Sequence, residues 1–512
     1  MIMLLKRCIL PGILVVAAIF VYVSTQRWGV GMQTDAIIYL DVATSLANKE
    51  GFLFVNPSTA MHEPLYHFPP GYPIALAFVA RTLSVSPLVA ARWLGILLLP
   101  VLLGFIWHFA GGNRSLFAMP ATMLMAFSTH LVQNFSMAQS EALFLVTVFS
   151  GFYCINQYFR TQKYALLIAA GFALGCSFVT RYVGVAAMFA GGMHILLTQK
   201  QWQRKVFDAA VYSVIALIPS GAWMIWRFLH ARELGYTSAP PALAIRLSEA
   251  YQTVGFWLLP GLVPESIRSA SVAIAIVLLC AVIVWLAGKE GGILSLLKNI
   301  SMNSQILLLF VIAYSMLLII TTVLVGNPWP FDERILLPIQ CCLVCQLARI
   351  SSKAYRQIRK PLWQTLIIAI WIGFIFSYSL RVGVRSKEWR DQGLGITAKY
   401  YQQKDWDGLA KIIPQNLLIY TDQTSPVFWY LRRATRLFPT PFLRDNRINR
   451  DYEKQMNEML ESIVNNEAVC VLLSPLPKEI LGIESSGLRN KSVDGFEAIY
   501  ISPILADKER QN

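Results

Sequence analysis

Charge is scarce in this chain. Only 14% of its 512 residues are charged, 55% are hydrophobic, and the mean hydropathy is +0.51. Soluble domains average about 25% charged residues. A soluble globule of this length could not solvate its surface with so few, which excludes a soluble enzyme, a coiled coil or a disordered scaffold as a description of the whole. A polytopic α-helical membrane protein remains. Acid is scarcer than base, giving a net charge of +15. Nucleic acid is not the reason. Residues 381–512 carry 19 basic and 17 acidic side chains, whereas residues 1–380 carry 25 and 12. The excess therefore travels with the apolar segments, as membrane topology requires. Cysteine is also short where it could matter. Of eight, only Cys470 lies in the polar C-terminal part, so that part has no internal disulfide. Cys342-x-x-Cys345 sits in an apolar helix without a second pair and reads as ordinary apolar packing. No internal repeat of the kind common in transporters is visible.

What is present is a series of long apolar runs. A span needs about 20 apolar residues. Eleven candidates are read at about 8–24, 88–109, 115–132, 139–158, 164–180, 182–198, 207–226, 269–288, 305–325, 334–348 and 363–380. Lys6-Arg7 before the first run resembles a signal peptide, but no small-residue cleavage site follows, so a retained span is expected. With the N-terminus inside, the cytoplasmic segments hold fifteen cations, among them Arg114, Arg160, Arg349, Lys353 and Arg356, against the acids Asp208 and Glu290. This is the positive-inside pattern. Residues 71–83 are too short to span and are expected to form an interfacial or re-entrant helix. The external face then carries a first loop over 25–87, a middle loop over about 227–268, and everything after about 381. Three strand-like segments, 416–421, 468–474 and 496–502, alternate with helix candidates at 404–413, 425–433 and 451–465. That alternation predicts a small α/β domain over 381–512 beside a membrane domain over 1–380.

Several polar residues in this apolar setting need a reason. The first loop opens Thr34-Asp35-Ala-Ile-Ile-Tyr39-Leu-Asp41. As a helix it places Ile38, Val42 and Leu46 on one stripe and Asp35 with Tyr39 on another, which fits an amphipathic helix lying on the membrane. Asp35 as a simple helix cap is the competing reading. Next comes His62-Glu63-Pro-Leu-Tyr66-His67-Phe-Pro69-Pro70-Gly71-Tyr72-Pro73. The paired prolines stiffen the turn. His62, Glu63 and His67 have ligand chemistry, yet a proline-rich extended segment lacks the helical geometry that would converge them on a metal. Glu141 lies in an apolar span, where a carboxylate costs on the order of 2–3 kcal/mol and should face a cavity or a cation. Arg181 and Arg334 sit at external span ends against the positive-inside bias and so call for anionic partners. For Arg334 the adjacent Asp332 or Glu333 would serve. Arg92 opens the second span and can snorkel. A guanidinium offers paired hydrogen bonds to phosphate and keeps its charge when partly buried.

These motifs resemble the GT-C superfamily of polytopic glycosyltransferases, in the branch of protein O-mannosyltransferases and the lipid A aminoarabinose transferase. The resemblance rests on Thr34-Asp35 to Gly51-Phe52, His67-Phe-Pro-Pro-Gly-Tyr-Pro73 with Ala91-Arg92, Gln139-Ser-Glu141, Thr180-Arg181-Tyr-Val-Gly184 and Asp332-Glu-Arg334-Ile-Leu-Leu-Pro338. It covers roughly residues 20–350, with a weaker likeness at Ser425–Leu431. It implies a bacterial inner-membrane enzyme with a cytoplasmic N-terminus and an extracytoplasmic C-terminal domain. By the resemblance, a polyprenyl-phosphate-linked sugar is the donor, and a glycan, lipid or protein of the envelope is the acceptor. Asp35 is the catalytic base. Arg181 and Arg334 hold the donor phosphate, and Tyr39, Asp41, Glu63, His67, Tyr72, Arg92 and Glu141 support the site. No resident cofactor is implied. The family often places Glu after the first-loop Asp. Here Ala36 follows Asp35, so a second acid and any divalent metal would depend on Asp41 or Glu63. A lipid or sugar transporter or flippase is the rival class. It predicts ionisable residues spread along a path across the bilayer, whereas here they crowd toward the external side.

Overall fold

A computed structural model describes residues 2–199, 201–230, 243–289, 291–292, 295, 300–325, 330–442, 448–474, 489–491 and 493–501. Part of the middle loop, 231–242, and residues 326–329 ahead of the last motif lie outside them. The chain divides into two compact units. One is Met1–Arg27 with Tyr66–Arg390; the other is Trp28–Leu65 with Asp391–Asn512.

The first unit is helical. Among its described residues, seven helices are long and apolar enough to cross a membrane: Pro87–Phe109, Glu141–Thr161, Trp202–His230, Glu265–Lys289, Met302–Leu324, Glu333–Gln357 and Pro361–Gln392. Shorter apolar helices run over Ile9–Ser24, Gly71–Leu83, Tyr164–Thr180 and Gly184–Thr198. Residues 71–83 thus form the short helix expected of them. The run read as a span at 115–132 is not continuous. It forms two helices, Ala118–Ala126 and Thr129–Phe135, with Ser128 between them accepting from the Leu131 amide at 3.4 Å. A serine that caps a new helix start competes with continuation of the old one. Close packing elsewhere uses Gly171 and Gly175, one turn apart. A Cβ at either would come within 2.8 Å of the Tyr212 carbonyl or 2.4 Å of the Ala216 carbonyl on the Trp202–His230 helix. Small residues four apart let two backbones approach where lipid supplies no hydrophobic drive between helices.

The second unit is α/β. Strands β1 (Leu53–Val55) and β2 (His62–Pro64) form an antiparallel hairpin. The other sheet has strands β3 (Leu418–Thr421), β4 (Thr435–Leu437), β5 (Ala468–Leu472), β6 (Arg489–Lys491) and β7 (Ala498–Ile501), in the order β4-β3-β5-β7-β6. β3 runs parallel to both β4 and β5, and β7 runs antiparallel to β5 and β6. Alternate residues point to opposite faces. Ile419, Val469, Val471 and Ile499 pack with Trp406, Leu409 and Val427 on one face. Tyr420, Cys470, Leu472 and Ala498 pack with Met459 and Ile463 on the other. The three expected strands and three expected helices are present. The short edge strands β4 and β6 were not anticipated, because Thr-Arg-Leu and Arg-Asn-Lys carry no apolar alternation.

The Thr34–Ala47 helix belongs to this unit. It buries Ala36, Ile37, Tyr39, Leu40, Val42, Ala43 and Ser45, more than the narrow Ile38–Val42–Leu46 stripe expected, and Ile38 and Leu46 are only half-buried. The reason is the partner. This helix packs against β1 and the Thr424–Leu431 helix, so protein covers faces that a helix resting on lipid would leave polar. The segment is tied in at several points. Trp28 Nε1 donates to the Asp391 carbonyl at 3.0 Å, the Ile396 amide donates to the Met32 carbonyl at 2.9 Å, and the Thr435 amide donates to the Pro57 carbonyl at 2.8 Å.

Candidate active site

In the first unit, three sequence-flagged residues converge. Glu141 is the first residue of its helix and is 2% exposed. Its Oε1 accepts from both Arg181 Nη1 and Arg334 Nε. The intramembrane acid therefore faces cations, as its cost in lipid demands. Arg334 thus reaches Glu141 as well as lying beside Asp332, which caps its helix. Asp332 Oδ1 accepts from the Arg334 amide at 3.0 Å and the Ile335 amide at 2.9 Å. Burial pushes the Asp332 carboxyl above its ordinary pKa, against the pull of those amides and of Arg334.

Each arginine is fixed by its surroundings. Arg181 is the extended residue that ends the Tyr164–Thr180 helix, and the Gly184 amide donates to its carbonyl at 2.8 Å. The Pro-Pro-Gly turn docks beside it. A Cβ at Gly71 would lie 2.6 Å from the Val179 carbonyl and 2.9 Å from Thr180 Oγ1. Only glycine permits that approach, which links the Gly71–Leu83 helix to the residue preceding Arg181. Arg334 is located through Phe331. The Phe331 amide donates to Glu249 Oε2 at 2.9 Å, and Thr253 Oγ1 donates to the Phe331 carbonyl at 3.0 Å. Glu249 in turn accepts from Arg246 at 2.8 Å. Sequence reasoning missed this clamp. Its signal was the i,i+3 pair Arg246–Glu249. Tyr314 closes the near side, its hydroxyl donating to the Ile335 carbonyl at 2.9 Å.

Arg92 does not simply snorkel. Its Nε donates to Thr25 Oγ1 at 3.1 Å, and its guanidinium lies 4.8 Å from the centre of the Tyr22 ring, holding the first helix. Tyr72 is buried, and His67 is exposed with its ring 4.0 Å from that of Tyr66.

In the second unit, Asp35 lies in the first turn of the Thr34–Ala47 helix and is half-buried. It is not the cap; Gln33 holds that position, without a side-chain cap bond. Thr34 Oγ1 shares a hydrogen bond with Ser425 Oγ at 2.9 Å, anchoring the turn that carries Asp35. Tyr39 is buried. Asp41 is bound by Arg432, whose Nη1 lies 2.8 and 3.1 Å from its two oxygens. Burial raises the Asp41 pKa from its ordinary value, outweighing the opposing pull of Arg432. Glu63 accepts from Asn56 Nδ2 at 2.8 Å across the hairpin. Asp41 and Glu63 thus each have a protein partner. Among the described residues no three His, Cys, Asp or Glu side chains form a metal-ligating group.

Two guanidiniums are gathered on one carboxylate at the end of the spans. Each carries five N–H donors in a planar fork. Such a cluster suits a phosphate group.

Residues 60–259 match the family model described as dolichyl-phosphate-mannose-protein mannosyltransferase. Structures of ArnT from Cupriavidus metallidurans match at 11% identity over 95% of this chain. In the apo state the TM-score is 0.52 with 96% of that chain covered; bound to undecaprenyl phosphate it is 0.53 with 97% covered. The chain has the GT-C glycosyltransferase fold. The oligosaccharyltransferase AglB from Archaeoglobus fulgidus, in complex with an inhibitory peptide and a dolichol-phosphate, matches at 12% identity and TM-score 0.53, over 91% of this chain and 69% of that one. The arabinofuranosyltransferase AftD from Mycobacteria matches at 12% identity and TM-score 0.56, over 97% of this chain and 40% of its own length. No curated protein sequence matches the chain. The GT-C fold and the family-model match agree with the resemblance read from the motifs.

Proposed function

We propose that this GT-C chain is a membrane glycosyltransferase that moves a sugar from a polyprenyl-phosphate carrier to an acceptor of the cell envelope, on the extracytoplasmic face of a bacterial inner membrane. The observation that carries the reading is the Arg181–Glu141–Arg334 cluster on a fold shared with proteins solved with undecaprenyl phosphate and with a dolichol-phosphate. Breaking the sugar–phosphate bond leaves negative charge on the carrier phosphate. Two guanidiniums held in place stabilise that charge without reorganising during the reaction. Glu141 offsets their mutual repulsion and fixes their direction. Asp35 takes the proton from the acceptor hydroxyl, which is a poor nucleophile until that proton is shared. The acidic residue near a helix start, with Thr34 bound to Ser425, gives that carboxylate a defined position.

Binding of the carrier is the direct test. Purified protein in nanodiscs is titrated with undecaprenyl phosphate. Arg181→Gln and Arg334→Gln should each weaken binding at least tenfold, while Asp35→Asn leaves it within about twofold. Equal binding by all variants would remove the arginines from the site.

A further inference from the structure

A second basic site lies at the far end of the same helices. Glu141 and Arg160 are separated by 19 residues of one helix, about 28 Å at 1.5 Å per residue. Arg334 and Arg349 stand about 22 Å apart on another by the same rule. At that far end is a cavity of about 1050 Å³. Arg114, Arg160, Arg349, Lys353 and Arg356 line it, and no Asp or Glu does so among the described residues. None of the four arginines forms an ion pair among the described residues.

Topogenic charge alone would leave these side chains loose in water. Two of them are instead pinned into the wall. Arg349 donates to the Phe109 carbonyl and, at 2.9 Å, to Ser301 Oγ. Arg356 donates to the Arg114 carbonyl. Neutral acceptors orient a guanidinium but do not neutralise it. Two more polar atoms on lining residues, His108 Nε2 and Gln357 Oε1, are buried without a hydrogen-bond partner among the described residues. The rest of the lining includes Ile283, Leu286 and Leu308 from helices long and apolar enough to cross the membrane. Cations and apolar side chains in one cavity suit an amphiphile with an anionic head.

We propose that this cavity binds the phosphate headgroup of an anionic membrane lipid. It is a site separate from the Glu141 cluster by most of the membrane thickness. Bidentate guanidinium–phosphate pairing supplies the recognition, and the apolar helices supply acyl-chain contact.

The test uses the full chain in phosphatidylcholine nanodiscs containing phosphatidylglycerol, with retained lipid read by native mass spectrometry. Wild type should retain phosphatidylglycerol over phosphatidylcholine. Arg349→Gln with Arg356→Gln should lower retention at least tenfold. Because Arg349 also holds two helices, Arg160→Gln with Lys353→Gln serves as the second pair, with a loss in the same direction. Lys163→Gln with Arg204→Gln removes the same charge outside the cavity and should change retention by less than twofold. Equal loss in all three double variants, or no loss in the cavity variants, would overturn the proposal. Binding of millimolar inorganic phosphate by the wild type together with no preference for phosphatidylglycerol over phosphatidylcholine would assign the cavity to a free phosphate and refute the lipid.

Discussion

At the scale of single residues, Glu141 is the pivot. A carboxylate at 2% exposure serves two guanidiniums, and Arg181 and Arg334 are 40 and 193 residues away in sequence. Removing one partner from a buried ion pair typically costs about 3–5 kcal/mol, because the remaining charge is stranded. Glu141→Gln should therefore lower the melting temperature of the purified protein clearly, whereas Glu141→Asp should retain most of it. A melt unchanged by Glu141→Gln would mean the arginines have other counter-charges. Sequence alone marked all three residues, since an acid inside a span and cations at external span ends each demand a partner. It could not pair them. Asp332 and Glu333 were the nearest acids to Arg334 in sequence, and only the folded chain shows that Glu141 also reaches it. Asp41 gives a pH-dependent case. Its pKa is raised on folding, so the folded state binds the proton more tightly than the unfolded one. Its contribution is full below about 3.8 and declines as pH rises through the higher folded value. Arg432→Gln deletes the interaction that restrains that rise. Hydrogen exchange of residues 34–47, corrected for intrinsic rates, should then show protection falling more steeply with rising pH than in wild type. Asp41→Asn should flatten the dependence.

At the scale of elements, placement depends on a few close approaches. The Pro69-Pro70-Gly71 turn meets the end of the Tyr164–Thr180 helix at a distance that excludes a methyl group. Gly71→Ala should cost about 1–3 kcal/mol of overpacking and displace Arg181. The readout is carrier binding, which should fall more than the melt predicts; binding unchanged at wild-type affinity would separate this turn from the site. The length and polarity of residues 71–83 were enough to foresee a short helix. The break at Ser128 was harder to see, because the residues before it are mostly apolar and one capping hydroxyl decides it. The Thr34–Ala47 helix was legible as a helix, but its covered faces were not. Residues that complete its packing, such as Ser425 and Arg432, lie 391 positions later.

At the scale of the whole molecule, scarcity of charge and the asymmetry of what remains already required a polytopic membrane protein. Chain order of the motifs pointed to the GT-C superfamily, and the folded chain has that fold. The α/β character of the C-terminal part followed from alternating strand and helix segments. Its inclusion of residues 28–65 did not, since those tethers are backbone hydrogen bonds such as the Ile396 amide to the Met32 carbonyl, which no side-chain pattern announces. The proposed reaction is transfer of a sugar from a polyprenyl-phosphate carrier with Asp35 as base. The most direct measurement is lipid mass spectrometry of membranes from cells making wild type or Asp35→Asn at equal abundance, with the envelope glycans profiled alongside. The account predicts that Asp35→Asn accumulates a polyprenyl-phosphate sugar while one glycan loses a residue. Unchanged lipid and unchanged glycan, in cells where deleting the whole protein alters the envelope, would contradict it.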